Sequence, residues 1–185
     1  MQPSIDLRLR TMIKSMKETI TPAIDPSNQT ALEQAKVVAG SLDLIRQQID
    51  YVHWFEAIDV LAHAALIEAF TEVDANSVSA EILADAAAAK TLPVRWQCSL
   101  AALRDVNNGL REAIAELTAD FAAREDADVR LRVAEIIIRH EEDQLRRERA
   151  FVAATGFDVF PDSLLPLEDA LDKPRQFSVQ AEQYN

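Results

Sequence analysis

The placement of proline constrains this chain more than any other feature. After Pro26 the next proline is Pro93, and after Pro93 the next is Pro161. Proline removes a backbone donor and clashes with the preceding turn, so helix interiors exclude it. Two stretches this long without one are free to be long helices. Their residues agree. The 185 residues are 49% hydrophobic but only 6% aromatic, so alanine, leucine, isoleucine and valine supply the apolar content. Three glycines are too few for the turns of a many-stranded sheet. The expected fold is all-α: an elongated helical bundle of four-helix type, with a short extra helix and an irregular C-terminal segment. Residues 1–160 are expected to form the bundle. Residues 161–185 are expected to pack on it and end in a tail.

A first helix reads from about Ser4 to Thr21, with Ile5, Leu9, Met12, Met16 and Ile20 on one stripe. Pro22 should stop it, and Asp25-Pro26 reads as an N-cap followed by proline in the first turn. A second helix runs over residues 26–73. At 1.5 Å per residue it would reach roughly 70 Å, against roughly 40 Å across a compact chain of this size. Either the bundle is elongated or this helix kinks, with Gly40 the expected place. A connector at 74–79 leads to a short alanine-rich helix ending at Lys90. A further helix starts near Pro93 and carries Trp96, Leu100, Leu103, Asn107, Leu110, Ile114, Leu117 and Phe121. The last begins near Asp126 or Asp128 and ends at Gly156. Phe157, Val159, Phe160, Leu164, Leu165 and Leu167 are expected to hold the C-terminal segment against the bundle.

Charge and cysteine content narrow the function. The formal net charge is −12, which disfavours nucleic acid and anionic lipid as partners. Cys98 is the only cysteine, so no internal disulfide forms and a reducing cytoplasm is the expected compartment. Its neighbours in sequence include no histidine or lysine, so an inert buried thiol is expected. The first twenty residues lack the apolar core of a signal peptide. The apolar run 57–70 is too short for a membrane span and carries Asp59, His63 and Glu68. Glycine-rich phosphate loops, CxxC, HExxH and GxSxG are all absent from the sequence.

The second helix holds the most informative pattern. One heptad seam reads Leu42, Ile45, Ile49, Val52, Glu56, Asp59, His63, Leu66, Phe70, Val73. Three successive seam positions are ionisable, inside a wide sector completed by Phe55, Val60, Ala62 and Ile67. Ionisable groups on a buried face need partners, because leaving them unpaired costs several kcal/mol. Asn107 interrupts the seam of the following long helix. On the last helix, Ala134, Ile138, Glu141, Leu145, Glu148 and Val152 form a seam containing Glu141, and His140 adjoins Val133, Ile136 and Ile137.

Two chemistries fit these residues. One is a metal or small-ligand site, with Glu56, Asp59, His63, His140 and Glu141 as candidate ligands, since bundles hold di-iron and di-manganese centres with carboxylates and imidazoles from facing helices. That architecture uses Glu-x-x-His twice, and the motif is missing here. The other is a satisfied polar network that sets helix register, with Arg95 or Arg104 as counter-charge. The charge runs 139–143 and 146–149 read as a solvated face, with Glu142 paired to Arg146 and Asp143 to Arg147. His53, beside Tyr51 and Trp54, reads as a surface or interface residue.

Two patches carry a resemblance. One is 13–50, with Pro22-Ala23-Ile24 before Ala31-Leu32-Glu33-Gln34-Ala35. The other is Leu103-Arg104-Asp105-Val106-Asn107-Asn108-Gly109-Leu110-Arg111. They resemble small, uncharacterised helical proteins of bacteria associated with aminoglycoside-phosphotransferase-like kinases and acyl-CoA dehydrogenases. The resemblance implies an accessory role in acyl or small-molecule metabolism and assigns no catalytic residue.

Three functions remain open on the sequence. The first is a non-enzymatic oligomeric interaction or accessory protein without a cofactor. It would dimerise through Trp54, Leu61 and Ala65, on the side opposite the ionisable trio, or bind a protein partner. The second is a metal-dependent bundle enzyme centred on Glu56, Asp59 and His63, with a divalent transition metal. The third is a sensor for a small apolar or acyl ligand held between helices.

Overall fold

The computed structural model describes residues 3–93 and 98–171. Among them every regular element is helical and there is no strand, so the all-α expectation holds. The α-helices are α1 (Ile5–Ser15), α2 (Thr21–Ala23), α3 (Gln29–Gln48), α4 (Val52–Val73), α5 (Ala80–Lys90), α6 (Leu100–Ala122), α7 (Ala127–Phe151) and α8 (Leu167–Ala170). A π turn, Met16–Ile20, joins α1 to α2. Tertiary contacts divide the described residues into two compact units. One takes 3–51 and 149–164, the other 52–93, 98–148 and 165–171.

Capping follows local chemistry. The side chains of Ser4, Asn28, Ser79 and Ser99 each accept a hydrogen bond from a first-turn amide of the helix they precede. Asp126 does the same for α7, accepting from the amides of Asp128 and Val129. The cap of α3 is therefore Asn28 and not Asp25. The Asp25 carboxylate instead holds the turn before it through the Ser27 amide and hydroxyl. Pro22 does not stop the first helix either. It occupies the short α2, and the preceding π turn bonds Thr21 N–H to Met16 O, five residues back. Such a turn shifts the ladder just before the residue that cannot donate to it.

The expected long second helix is two helices. It breaks at residues 49–51 and runs unbroken through Gly40. Ile49, Asp50, Tyr51 and Val52 all rank in the lower half of helix propensity, as do His53, Trp54 and Phe55, which stay helical in α4. An added Cβ at Gly40 meets nothing within 4 Å, so no steric demand bends the helix there.

In the first unit α1 packs on α3, around a thin core of Leu9, Ala35, Ala39 and Ala150. The expected stripe of α1 is buried only at Leu9, while Ile5, Met12 and Ile20 are exposed. Ile45 and Ile49, the upper part of the long seam, are exposed as well. Gly156 takes the left-handed conformation (φ 71°) after a 3-10 turn, Ala153–Thr155. The segment that follows is held by polar bonds. The Arg149 guanidinium makes two 2.8 Å bonds to the Asp158 carboxylate and also reaches Ser163 Oγ at 2.9 Å. Phe157 is 88% exposed, and Val159, Phe160 and Leu165 are exposed too. Of the six residues expected to anchor this segment, only Leu164 and Leu167 are half-buried.

The second unit contains the main core. α4 packs on α6 and on α5. Val60, Ala64, Ile67 and Phe70 of α4 are fully buried with Leu103, Leu110, Leu117 and Phe121 of α6. The Phe70 and Phe121 rings lie 5.5 Å apart in a tilted pair. Arg124 stands over the Phe121 ring and bonds Asp74, closing that end of the α4–α6 pair. α5 buries Ala86 and Ala89, small residues that permit close backbone approach. Helix α6 begins at Leu100, capped by Ser99, and not near Pro93. Trp96, Arg95 and the C-terminal tail lie outside the described residues. At the end of the described chain Leu171 is buried, and its carbonyl accepts from Trp54 Nε1 at 3.3 Å.

Candidate functional site

The ionisable trio of α4 lies inside the second unit. Asp59 and His63 are buried and Glu56 is half-buried. The reason is positional: they occupy the stripe that continues into Leu66 and Phe70, and α6 covers that stripe.

The Glu56 carboxylate accepts from Arg104 Nε at 2.9 Å and from Asn107 Nδ2 at 3.3 Å. A carboxylate only accepts, so the Asn107 amide must present its nitrogen to Glu56 and its oxygen to the other side. That oxygen lies 2.6 Å from His63 Nδ1. His63 therefore carries its proton on Nδ1 and donates it to Asn107. Asp59 uses both oxygens on arginines, Arg147 Nη2 at 3.2 Å and Arg111 Nη2 at 3.5 Å. The His140 ring from α7 stands 5.1 Å from that of His63, tilted by 48°.

The cluster counts two carboxylates, Glu56 and Asp59, against three guanidinium groups, Arg104, Arg111 and Arg147. The charge of Glu141, which acts on His140 from the edge of the cluster, balances the third guanidinium. Burial lowers the pKa of His63, with Asn107 and Asp59 opposing. Burial and the neighbouring His63 lower that of His140, with Glu141 opposing. For Asp59, burial raises the pKa in spite of Arg147, His63 and Arg111. Among the described residues, His140 Nε2 and Arg147 Nε are buried without a hydrogen-bond partner.

The sequence located Glu56, Asp59, His63, Asn107, Arg104 and His140 correctly as one neighbourhood. Glu141 is exposed at the edge of this neighbourhood, where it acts on His140 through its charge. Helix α7 presents Val133, Ile136, Ile137, His140 and Arg147 inward, and turns the expected seam outward. Arg147 is only 9% exposed and pairs with Asp59, not with Asp143 on a solvated face. Arg146 takes Asp143 at 3.2 Å. The signal for Arg147 was its position seven residues beyond His140. Arg111 of α6 was missed as well.

No group of three histidine, cysteine, aspartate or glutamate side chains among the described residues is arranged to hold a metal ion. The physical reason is that Glu56 and Asp59 turn their oxygens to arginines and Glu141 faces outward. No helix among the described residues is long and apolar enough to cross a membrane.

Other expected residues lie apart. His53 is exposed, with Nε2 3.0 Å from the carbonyl oxygen of Cys98. Cys98 is half-buried, not buried. Trp54 and Leu61 are half-buried and Ala65 is exposed. A cavity of about 370 Å³ opens between α5 and α6, lined by Ile82, Ala89, Leu92, Val106, Leu110 and the carboxylate of Asp85.

Comparison of the chain with protein-family models, with curated proteins and with solved structures returned no match.

Proposed function

We propose that this chain is a non-enzymatic accessory protein, a helical scaffold that works by docking another protein on the outer face of α7. One observation carries the reading. Leu131, Ile138 and Leu145, each seventh along α7, are 60, 58 and 56% exposed. Large apolar side chains repeated at heptad spacing on an open helix face are what helix–helix docking uses. Single exposed leucines need no explanation, whereas a periodic row of them does. The buried cluster supports the reading indirectly. Its carboxylates are engaged by arginines, an arrangement suited to fixing the register of α4, α6 and α7 beneath a binding face.

The test is a photo-crosslinking amino acid placed at position 138, and separately at the exposed position 34, in cells that make the protein. Adducts from position 138 alone are expected. An adduct at twice the chain mass would assign the face to self-association. Absence of any adduct from position 138 would refute the docking reading.

The cavity between α5 and α6 favours a second reading, a binder of small apolar ligands. Gly109 borders it, and a Cβ added there meets nothing within 4 Å. Gly109→Leu would fill the space. A hydrophobic probe such as hexanol should then raise the Tm of the wild type and leave the variant unmoved. A wild type equally unmoved would eliminate this reading.

A further inference from the structure

The row on α7 has a rim. On a helical wheel at about 100° per residue, Glu141 and Glu148 lie on one side of the line through Leu131, Ile138 and Leu145. Glu135 and Glu142 lie on the other. All four are exposed. Glu148 accepts a bond from Gln144 at 2.9 Å. Glu135, Glu141 and Glu142 enter no salt bridge among the described residues. Two arginines share these edges, Arg146 and Arg130, and Arg130 donates to the carbonyl oxygens of Arg124 and Glu125. Arg147 faces inward to Asp59, Arg149 is held by Asp158, and Arg146 is drawn to Asp143. Arg132 and Arg139 lie farther round the wheel than the glutamates. A shallow depression follows the same line, lined by Ile138, Glu141, Glu142, Gln144, Leu145 and Glu148.

An apolar row with acid on both edges selects its occupant by charge. A second copy of the same face would bring glutamate against glutamate, and like charges across an interface cost several kcal/mol. Nucleic acid and anionic lipid are repelled by the same rim and by the net charge of −12. The spacing selects the shape. Apolar residues seven apart recur about every 10.5 Å along a helix, and only another helix lying alongside repeats at that interval. A strand repeats one face every two residues, about 7 Å, and soon loses register with it.

We infer that the occupant of this face is a basic amphipathic helix of another protein. Its apolar side chains meet Leu131, Ile138 and Leu145, and its lysines or arginines reach Glu135, Glu141, Glu142 and Glu148. This inference rests on the docking reading of α7 and adds the chemistry of the partner.

The test uses the full chain and a fluorescent three-heptad peptide with leucine at the apolar positions and lysine beside them. One control peptide has the same composition, scrambled so that its leucines share no face. Another carries glutamate in place of lysine. Anisotropy titrations at physiological salt should show micromolar binding of the lysine peptide only. Each control should bind at least tenfold more weakly. Ile138→Ser/Leu145→Ser should lose at least tenfold in affinity. Glu135, Glu141, Glu142 and Glu148 changed together to Gln should lose as much, along with most of the salt dependence. All substituted side chains are exposed, and an unchanged circular dichroism spectrum verifies the fold of each variant. Equal binding of the scrambled peptide, preference for the glutamate peptide, or undiminished binding by either variant would overturn the proposal. Crosslinked adducts from position 138 without binding of the lysine peptide would refute the basic helix and leave the docking reading standing. Loss of both results would remove the docking reading itself.

Discussion

His63 and His140 face each other across α4 and α7 with ring centroids 5.1 Å apart, in a cluster that holds three guanidinium groups. Around the pair stand Glu56 and Asp59 on α4, Arg104, Asn107 and Arg111 on α6, and Glu141, Gln144 and Arg147 on α7. Both imidazoles have pKa values below the ordinary 6.5. In the unfolded chain they bind protons near 6.5, and in the folded chain only at lower pH. The unfolded state therefore holds more protons once the pH drops below about 6.5. Stability should be level above that point and should fall as the pH is lowered toward the native values. Asp59, with a raised pKa, works in the opposite sense in acid, because its native carboxyl takes up a proton before the unfolded one does. Thermal melts between pH 8 and pH 5 should show Tm falling with acid, and His63→Gln with His140→Gln should flatten the curve. A wild-type Tm that does not change over this range would contradict the assignment.

Asp59 is 1% exposed and Arg147 9% exposed, so neither charge has water to fall back on. Removing Asp59 leaves Arg147 buried and unpaired, and removing Arg147 leaves Asp59 buried with only the longer contact to Arg111. Asp59→Ala should destabilise the protein by about 3–5 kcal/mol, and Arg147→Met by less, because Arg111 still faces Asp59. The double variant should cost much less than the sum, because both charges leave together. Denaturant melts of the four proteins close the cycle. Additive losses would mean that the two residues do not act as a pair.

Metal should have no effect on stability. With Glu56 and Asp59 engaged by arginines, a divalent ion would have to displace guanidinium groups to bind. Incubation with a chelator should leave Tm unchanged, as should added Mn²⁺, Fe²⁺ or Zn²⁺. A rise of Tm with metal concentration, by mass action, would restore the metal-site reading.

Gly40 lies within α3, exposed, where a Cβ meets nothing. Glycine in a helix interior is worth about 0.5–1 kcal/mol less than alanine, mostly because the unfolded chain gains freedom. Gly40→Ala should raise stability by about that amount. A loss of stability would show that the helix bends at Gly40 after all.

Much of the second unit was legible from periodicity. The apolar spacing of Leu103, Leu110, Leu117 and Phe121 reports burial because helical positions recur on one face whatever packs against them. The same logic exposed Glu56, Asp59 and His63 as polar residues on an apolar stripe, and Asn107 as their neighbour. Serine caps at Ser4 and Ser79 were local enough to read as helix starts. The break at 49–51 was not legible. No proline or glycine marks it, and a run of middling propensities stays helical or opens according to what packs around it.

The sequence by itself determined the helical class, the stretches free of proline and the presence of an ionisable patch that must find partners. Those are properties of single segments, set by backbone chemistry and side-chain period. Only the tertiary structure decided which face of α7 turns inward. The helix carries two apolar stripes, one of Val129, Val133, Ile136 and Ile137 continued by His140 and Arg147, the other of Leu131, Ile138 and Leu145. The first turns inward, with Val133 and Arg147 buried and Ile137 and His140 half-buried. The charge of Asp59, buried on α4, requires a guanidinium within reach, and Arg147 supplies it from that stripe. Apolar burial of Val129, Val133, Ile136 and Ile137 and the pairing of Arg147 with Asp59 call for the same rotation of the helix, which leaves the second row outside.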